Sequence, residues 1–102
     1  MPKYLTAALY KFVNLPEFKS MQAPIYNACI SNNIKGTLLL AEEGINGTIA
    51  GIKQDVHNFL SFLRSDPIFN DCFTDLEHKE SFANVHPFYR MKVKLKKEIV
   101  LQ

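Results

Sequence analysis

Gly36-Thr37-Leu38-Leu39-Leu40-Ala41-Glu42-Glu43-Gly44-Ile45-Asn46-Gly47-Thr48-Ile49-Ala50-Gly51 is the stretch whose reading decides the fold. Leu38 to Ala41 is too short and too apolar for a surface helix; a continuous apolar run of this length suits a buried strand. Gly44 and the Asn46-Gly47 pair tolerate positive φ, so the chain is expected to reverse there. Thr48-Ile49-Ala50 returns as a second strand and Gly51 closes the unit. Glu42 and Glu43 fall at the end of the first strand, where two adjacent carboxylates repel and need a solvated rim or a partner.

Upstream of the hairpin, residues 4–13 (YLTAALYKFV) read as a strand with apolar groups on both faces, the pattern of a central strand. Asn14 offers a helix cap and Pro16 suits a first helical turn. Phe18, Met21, Ile25 and Cys29 recur at near-helical spacing, giving an apolar face from Pro16 to Asn32. Pro24 interrupts it, which predicts a kink or a second helix starting there. Downstream, Lys53 to Ser65 is the clearest helix, with Val56, Phe59, Leu60 and Leu63 as its stripe and Pro67 just beyond its end. Residues 73–82 read as a polar strand. Residues 89–100 form the last strand, in which Tyr89, Met91, Val93 and Leu95 alternate with Arg90, Lys92, Lys94 and Lys96.

The order is β-α-β-β-α-β with one more strand. Two right-handed crossovers joined by a hairpin give an antiparallel sheet with both helices on one face. The expected fold is therefore α+β, a ferredoxin-like (acylphosphatase-like) sandwich with an extra C-terminal strand. Its second sheet face must meet water, a partner domain or a substrate. With 102 residues, 47% of them hydrophobic, one domain with an ordinary core is expected over 1–102. Cys29 and Cys72 stand in neither a CxxC nor a Cys/His spacing and read as reduced thiols of a cytoplasmic protein. The N-terminus lacks a signal-peptide apolar region, and no apolar run approaches the roughly 20 residues that span a bilayer.

Catalytic chemistry is hard to assemble from these residues. An acylphosphatase would resemble this layout, with an arginine loop after the first strand and a water-orienting asparagine on the second. Here Lys11-Phe12-Val13-Asn14 follows the first strand, and Leu40 and Ala41 stand where the asparagine should fall. His57, His78 and His86 lack the close, repeated spacing of a zinc site. They read as a half-buried helix residue, a solvated strand residue and a turn residue, with a phosphate contact as the alternative at His86. Cys29 lies on an apolar helix face, and Cys72 has no neighbour that would activate it. No catalytic residue, metal ligand or cofactor site is assigned.

The net charge of +2 says little, but its placement says more. Arg90, Lys92, Lys94 and Lys96 share one face of a strand, each roughly 6–7 Å from the next, and Lys97 adds to them. Such a stripe either guards a sheet edge against aggregation or contacts RNA phosphates, with Tyr89 or Phe88 stacking on a base. Glu42, Glu43, Gly44 and Asn46 make a turn suited to a domain contact or to the mouth of a substrate site.

The hairpin quoted above closely resembles the signature of the rhodanese-related tRNA uridine hydroxylases. Lys79-Glu80-Ser81, Pro87-Phe88, Lys92-Val93-Lys94 and Lys96-Lys97-Glu98-Ile99-Val100 match the same family. The resemblance implies an acylphosphatase-like N-terminal domain followed by a catalytic rhodanese domain that this chain does not contain. It also implies conversion of a tRNA wobble uridine to 5-hydroxyuridine, with molecular oxygen as co-substrate and tRNA and the rhodanese domain as partners. Neither cysteine of this chain lies in a rhodanese loop, so the family's reactive cysteine transfers to neither. Two readings stand: a tRNA-facing accessory domain, or a structural module that braces the rhodanese domain without touching nucleic acid.

Overall fold

The computed structural model describes residues 3–97. Its elements are β1 (Tyr4–Phe12), α1 (Phe18–Ser31), β2 (Lys35–Ala41), β3 (Gly44–Gly51), α2 (Lys53–Ser65), a 3-10 turn (Pro67–Phe69), β4 (Glu77–Ala83) and β5 (Met91–Leu95). The strands form one sheet in the order β4-β1-β3-β2-β5. The first four are antiparallel, the arrangement expected of a ferredoxin-like sandwich. β5 adds beyond β2 and runs parallel to it, so the sheet is mixed.

Alternation on each strand sends one set of side chains to the helices. Leu5, Ala7 and Leu9 of β1, Leu38 and Leu40 of β2, Ile45 and Ile49 of β3, and Met91 and Val93 of β5 join a single buried cluster. Met21, Ile25 and Cys29 of α1 and Val56, Phe59, Leu60 and Leu63 of α2 complete it. α1 lies over β2 and β5, and α2 over β1 and β3. Burial of this apolar surface, at about 25 cal/mol per Å², is the main force holding the helices to the sheet.

Several local expectations shift. The hairpin reverses at Glu42–Glu43, not at Asn46-Gly47, because Ala41 pairs with Gly44 and leaves a two-residue loop. Gly44 and Asn46 are therefore strand residues of β3. Gly47 instead serves close approach: at φ +153°, a Cβ there would run into the Thr37 carbonyl of β2. α1 starts at Phe18, without a side-chain cap from Asn14, and runs through Pro24 as one helix. Met21, Ile25 and Cys29, on both sides of the proline, are buried together, so packing outweighs the lost hydrogen bond. The helix ends where expected, with Asn33 in the left-handed region and the Ile34 N–H bonded to the Cys29 carbonyl at 2.9 Å.

β4 begins at Glu77, four residues later than residue 73. Asn70 and Asp71 both have positive φ, which breaks the chain into turns. Phe73 and Leu76 are buried there as core residues of the loop, with Phe73 tilted against Phe69, which in turn meets Phe62 edge-on. β5 is shorter than residues 89–100: Tyr89 precedes it, Lys96 and Lys97 follow it, and residues 98–100 lie outside the described residues. Among the described residues no helix is long and apolar enough to cross a membrane.

Candidate nucleic-acid interface

The sheet face turned away from the helices is ordered by strand register. One row runs Lys79, Ala8, Thr48, Thr37, Lys92, and the next runs Glu77, Tyr10, Asn46, Leu39, Lys94. Strand spacing of about 4.8 Å makes each row about 19 Å across. The first row has small residues in its middle and a lysine at each end. The second is more contoured, with Tyr10 and Leu39 flanking Asn46. Tyr10 also meets Phe12 edge-on at 6.4 Å, and both rings are substantially exposed.

β5 supplies the basic edge. Lys92 and Lys94 point outward while Met91 and Val93 enter the core, as the alternation requires. Arg90 and Lys96 sit at the ends of the strand, locked by backbone hydrogen bonds: the Gly36 N–H donates to the Arg90 carbonyl at 2.9 Å, and the Lys96 N–H to the Leu40 carbonyl at 2.8 Å. Arg90, Lys92, Lys94, Lys96 and Lys97 are all exposed, and none makes an ion pair among the described residues. On the outer side of β5 the Gln22 side chain of α1 donates to the Val93 carbonyl at 2.6 Å. One edge acceptor is thereby satisfied, as an exposed edge strand requires.

The structure brings the acidic turn to one end of this basic stripe. Glu42, Lys96 and Lys97 line one hollow, and Glu42, Glu43 and Lys97 another. Opposite charges so placed reduce the local field, leaving the positive character concentrated at Arg90, Lys92 and Lys94. The turn itself is pinned to the β1–α1 connection: the Val13 N–H donates to the Glu43 carbonyl at 3.0 Å and the Leu15 N–H to the Glu42 carbonyl at 2.6 Å. Glu42 and Glu43 are exposed at the turn, Gly44 is buried, and Asn46 is half-buried on the open face of β3.

A polar clasp escaped the reading of isolated histidines. Glu80 of β4 takes His78 at 2.8 Å and His57 of α2 at 3.0 Å, both through the imidazole Nε2. Arg64 of α2 donates to His78 Nδ1 at 2.9 Å and to the Leu76 carbonyl at 2.8 Å. His78 and His57, in that order, hold the Glu80 carboxyl below the usual glutamate range. The i, i+2 spacing of His78 and Glu80 puts both on one strand face, but nothing local signals His57, 23 residues away. Among the described residues no group of three or more acids, cysteines or histidines could hold a metal ion. Burial pushes the Cys29 thiol up to about 12, which makes it an inert core residue at neutral pH.

The architecture is thus a ferredoxin-like sandwich whose fifth strand carries an exposed row of cations. The chain belongs to the UPF0176 family: the family's acylphosphatase-like domain matches residues 4–99. It is 54% identical over 98% of its length to a protein named tRNA uridine(34) hydroxylase from Albidiferax ferrireducens (strain ATCC BAA-621 / DSM 15236 / T118), of which it spans 30%. Solved structures share the fold at low identity. BlrB, a BLUF protein in its dark state, superposes with a TM-score of 0.71 at 16% identity over 93% of this chain and 74% of that one. Full-length HypF, in a phosphate- and nucleotide-bound form, gives 0.57 at 15% identity over 93% of this chain and 12% of that one.

Proposed function

We propose that this chain is the N-terminal accessory domain of a cytoplasmic tRNA uridine hydroxylase, the parent protein forming 5-hydroxyuridine at the wobble position with molecular oxygen as co-substrate. The observation that carries this reading is the 54% identity to a protein of that name along almost the whole of this chain. Because the chain spans 30% of that relative, the chemistry is assigned to the remaining length, which the family resemblance makes a rhodanese domain. The role of this domain is to face the tRNA. Arg90, Lys92 and Lys94 form an exposed, uncompensated cationic edge, and each lysine on a phosphate would release counterions. Glu42 and Glu43 repel phosphate and suit a contact with the catalytic domain.

The test is tRNA binding by the full-length parent with Lys92→Ala and Lys94→Ala combined. Two lost phosphate contacts lower the slope of log K against log salt by about 1.4 to 1.8. An unchanged affinity and salt slope would mean that β5 is a guarded sheet edge and that the domain braces its neighbour without touching RNA.

A further inference from the structure

One end of the sheet carries a feature that the basic strand alone does not explain. A cleft of about 590 Å³ opens between the start of β2, the C-terminal half of α1 and the segment entering β5. That volume falls in the range of about 300–1,000 Å³ typical of small-ligand sites. Exposed apolar side chains gather around it: Tyr26 is 41% exposed, Ile30 51%, Ile52 51% and Tyr89 93%. Four large apolar groups left in water around one cleft call for an occupant.

Two cations share the same cleft. The hydrogen bond from the Gly36 N–H to the Arg90 carbonyl sets Lys35 and Arg90 beside each other across the β2–β5 seam. Neither makes an ion pair among the described residues. Burial, and after it the field of Lys35, hold down the imidazole pKa of His86, which lines the same cleft. His86 is fixed as a wall residue, its ring 4.8 Å from Tyr4 and its Nδ1 accepting the Phe88 N–H at 3.3 Å. Asp55, at the first turn of α2, is the one carboxylate lining the cleft, and it makes no ion pair with either cation among the described residues.

Adjacent cations beside an exposed aromatic ring and an apolar floor are complementary to a nucleotide: phosphate on Lys35 and Arg90, base on Tyr89 and the apolar wall. We infer that this cleft holds one unpaired nucleotide of an RNA strand whose neighbouring phosphates continue along Lys92 and Lys94. The inference rests on the tRNA-facing reading and adds to it a base-binding site. The strand is preferred to a free nucleotide because the cleft is continuous, through Arg90, with the cationic row of β5.

Four probes test it on the full chain by NMR titration: octauridylate, whose bases are unstacked; an abasic octamer with the same phosphates; uridine monophosphate; and a tRNA anticodon stem-loop. Octauridylate is expected to shift the amides of Tyr26, Ile30, Lys35, Tyr89 and Arg90. Tyr89→Ala, at a site too exposed to endanger folding, is expected to weaken octauridylate about tenfold and leave the abasic octamer unchanged. Arg90→Ala is expected to weaken both. Unchanged octauridylate affinity in Tyr89→Ala overturns the cleft, and uridine monophosphate binding as tightly as the octamer overturns the strand. Loss of binding in the Lys92→Ala/Lys94→Ala pair without loss in Tyr89→Ala overturns the cleft and keeps the tRNA-facing role. No binding of octamer or stem-loop overturns both. Shifts of the same amides by the remainder of the parent protein, with no response to RNA, overturn the cleft in favour of a domain contact.

Discussion

Replacing Gly47 by alanine probes a close backbone approach between β3 and β2, and Gly51→Ala on the same strand face is its control. At Gly47 the backbone has φ +153°, and an added Cβ would meet the Thr37 carbonyl, with the Leu38 Cα at 2.8 Å and Leu38 Cδ2 at 3.1 Å. Holding alanine in such a conformation costs about 1–3 kcal/mol, and displacing β2 to make room adds about as much again. The variant is expected to lose roughly 2–6 kcal/mol, or about 10–40 °C in Tm for a domain of this size. At Gly51 the nearest atoms are the Asn33 carbonyl oxygen at 3.4 Å and side-chain carbons of Ile34 and Val56 at 3.5 Å, ordinary contacts. Gly51→Ala is expected to stay within about 1 kcal/mol of the parent chain. Urea unfolding followed by far-UV circular dichroism measures both. Equal midpoints for the two variants would refute the steric argument, since both substitutions have the same intrinsic propensity change.

Three further outcomes follow from the packing and the ionised groups. Glu80→Gln removes a carboxylate whose folded pKa lies below its unfolded one, so its stabilisation is present above the unfolded value and is lost as pH falls through the folded value. Urea midpoints of parent and variant should therefore differ at pH 7 and draw together as the pH is lowered past the ordinary glutamate range, and a gap that does not narrow on acidification contradicts the clasp. Cys29 should resist a disulfide reagent at pH 8 in the native chain while Cys72 reacts, both becoming titratable in denaturant; fast double labelling of the native chain contradicts the burial of Cys29. Phe73→Ala should cost about 3–5 kcal/mol despite lying between elements, because its ring is fully buried against Phe69; a loss below about 1 kcal/mol would show the loop to be dispensable.

Elements with a strong period were legible before any coordinates. The α2 stripe of Val56, Phe59, Leu60 and Leu63 is buried residue for residue, and the alternation of Lys92 and Lys94 with Met91 and Val93 survives intact. Errors arose where local signals were read without their tertiary partners. Asn46-Gly47 has turn chemistry, but pairing of Ala41 with Gly44 moved the reversal to two glutamates, and the glycine was needed for strand contact instead. Phe73 looked like a strand residue because aromatic content signals strands and loop cores alike. The parallel direction of β5 depends on the route of the chain after β4, which periodicity does not encode. The same holds for the site: the cations of β5 were visible, whereas the clasp of His57, Arg64, His78 and Glu80 and the cleft at Lys35 and Tyr89 join residues far apart in the chain.

The position of β1 between β3 and β4 constrains how the domain comes into being. On a chain emerging from the ribosome, the β2–β3 hairpin needs only its own 17 residues, from Lys35 to Gly51, and can form first. β1, made earliest, then has one available edge in β3 and must wait for residue 83 before its other edge is covered. Until then its outward backbone groups are an open template for another nascent chain. β5 is made after the other strands and pairs on the far edge, beyond β2, so the cationic row completes the sheet last.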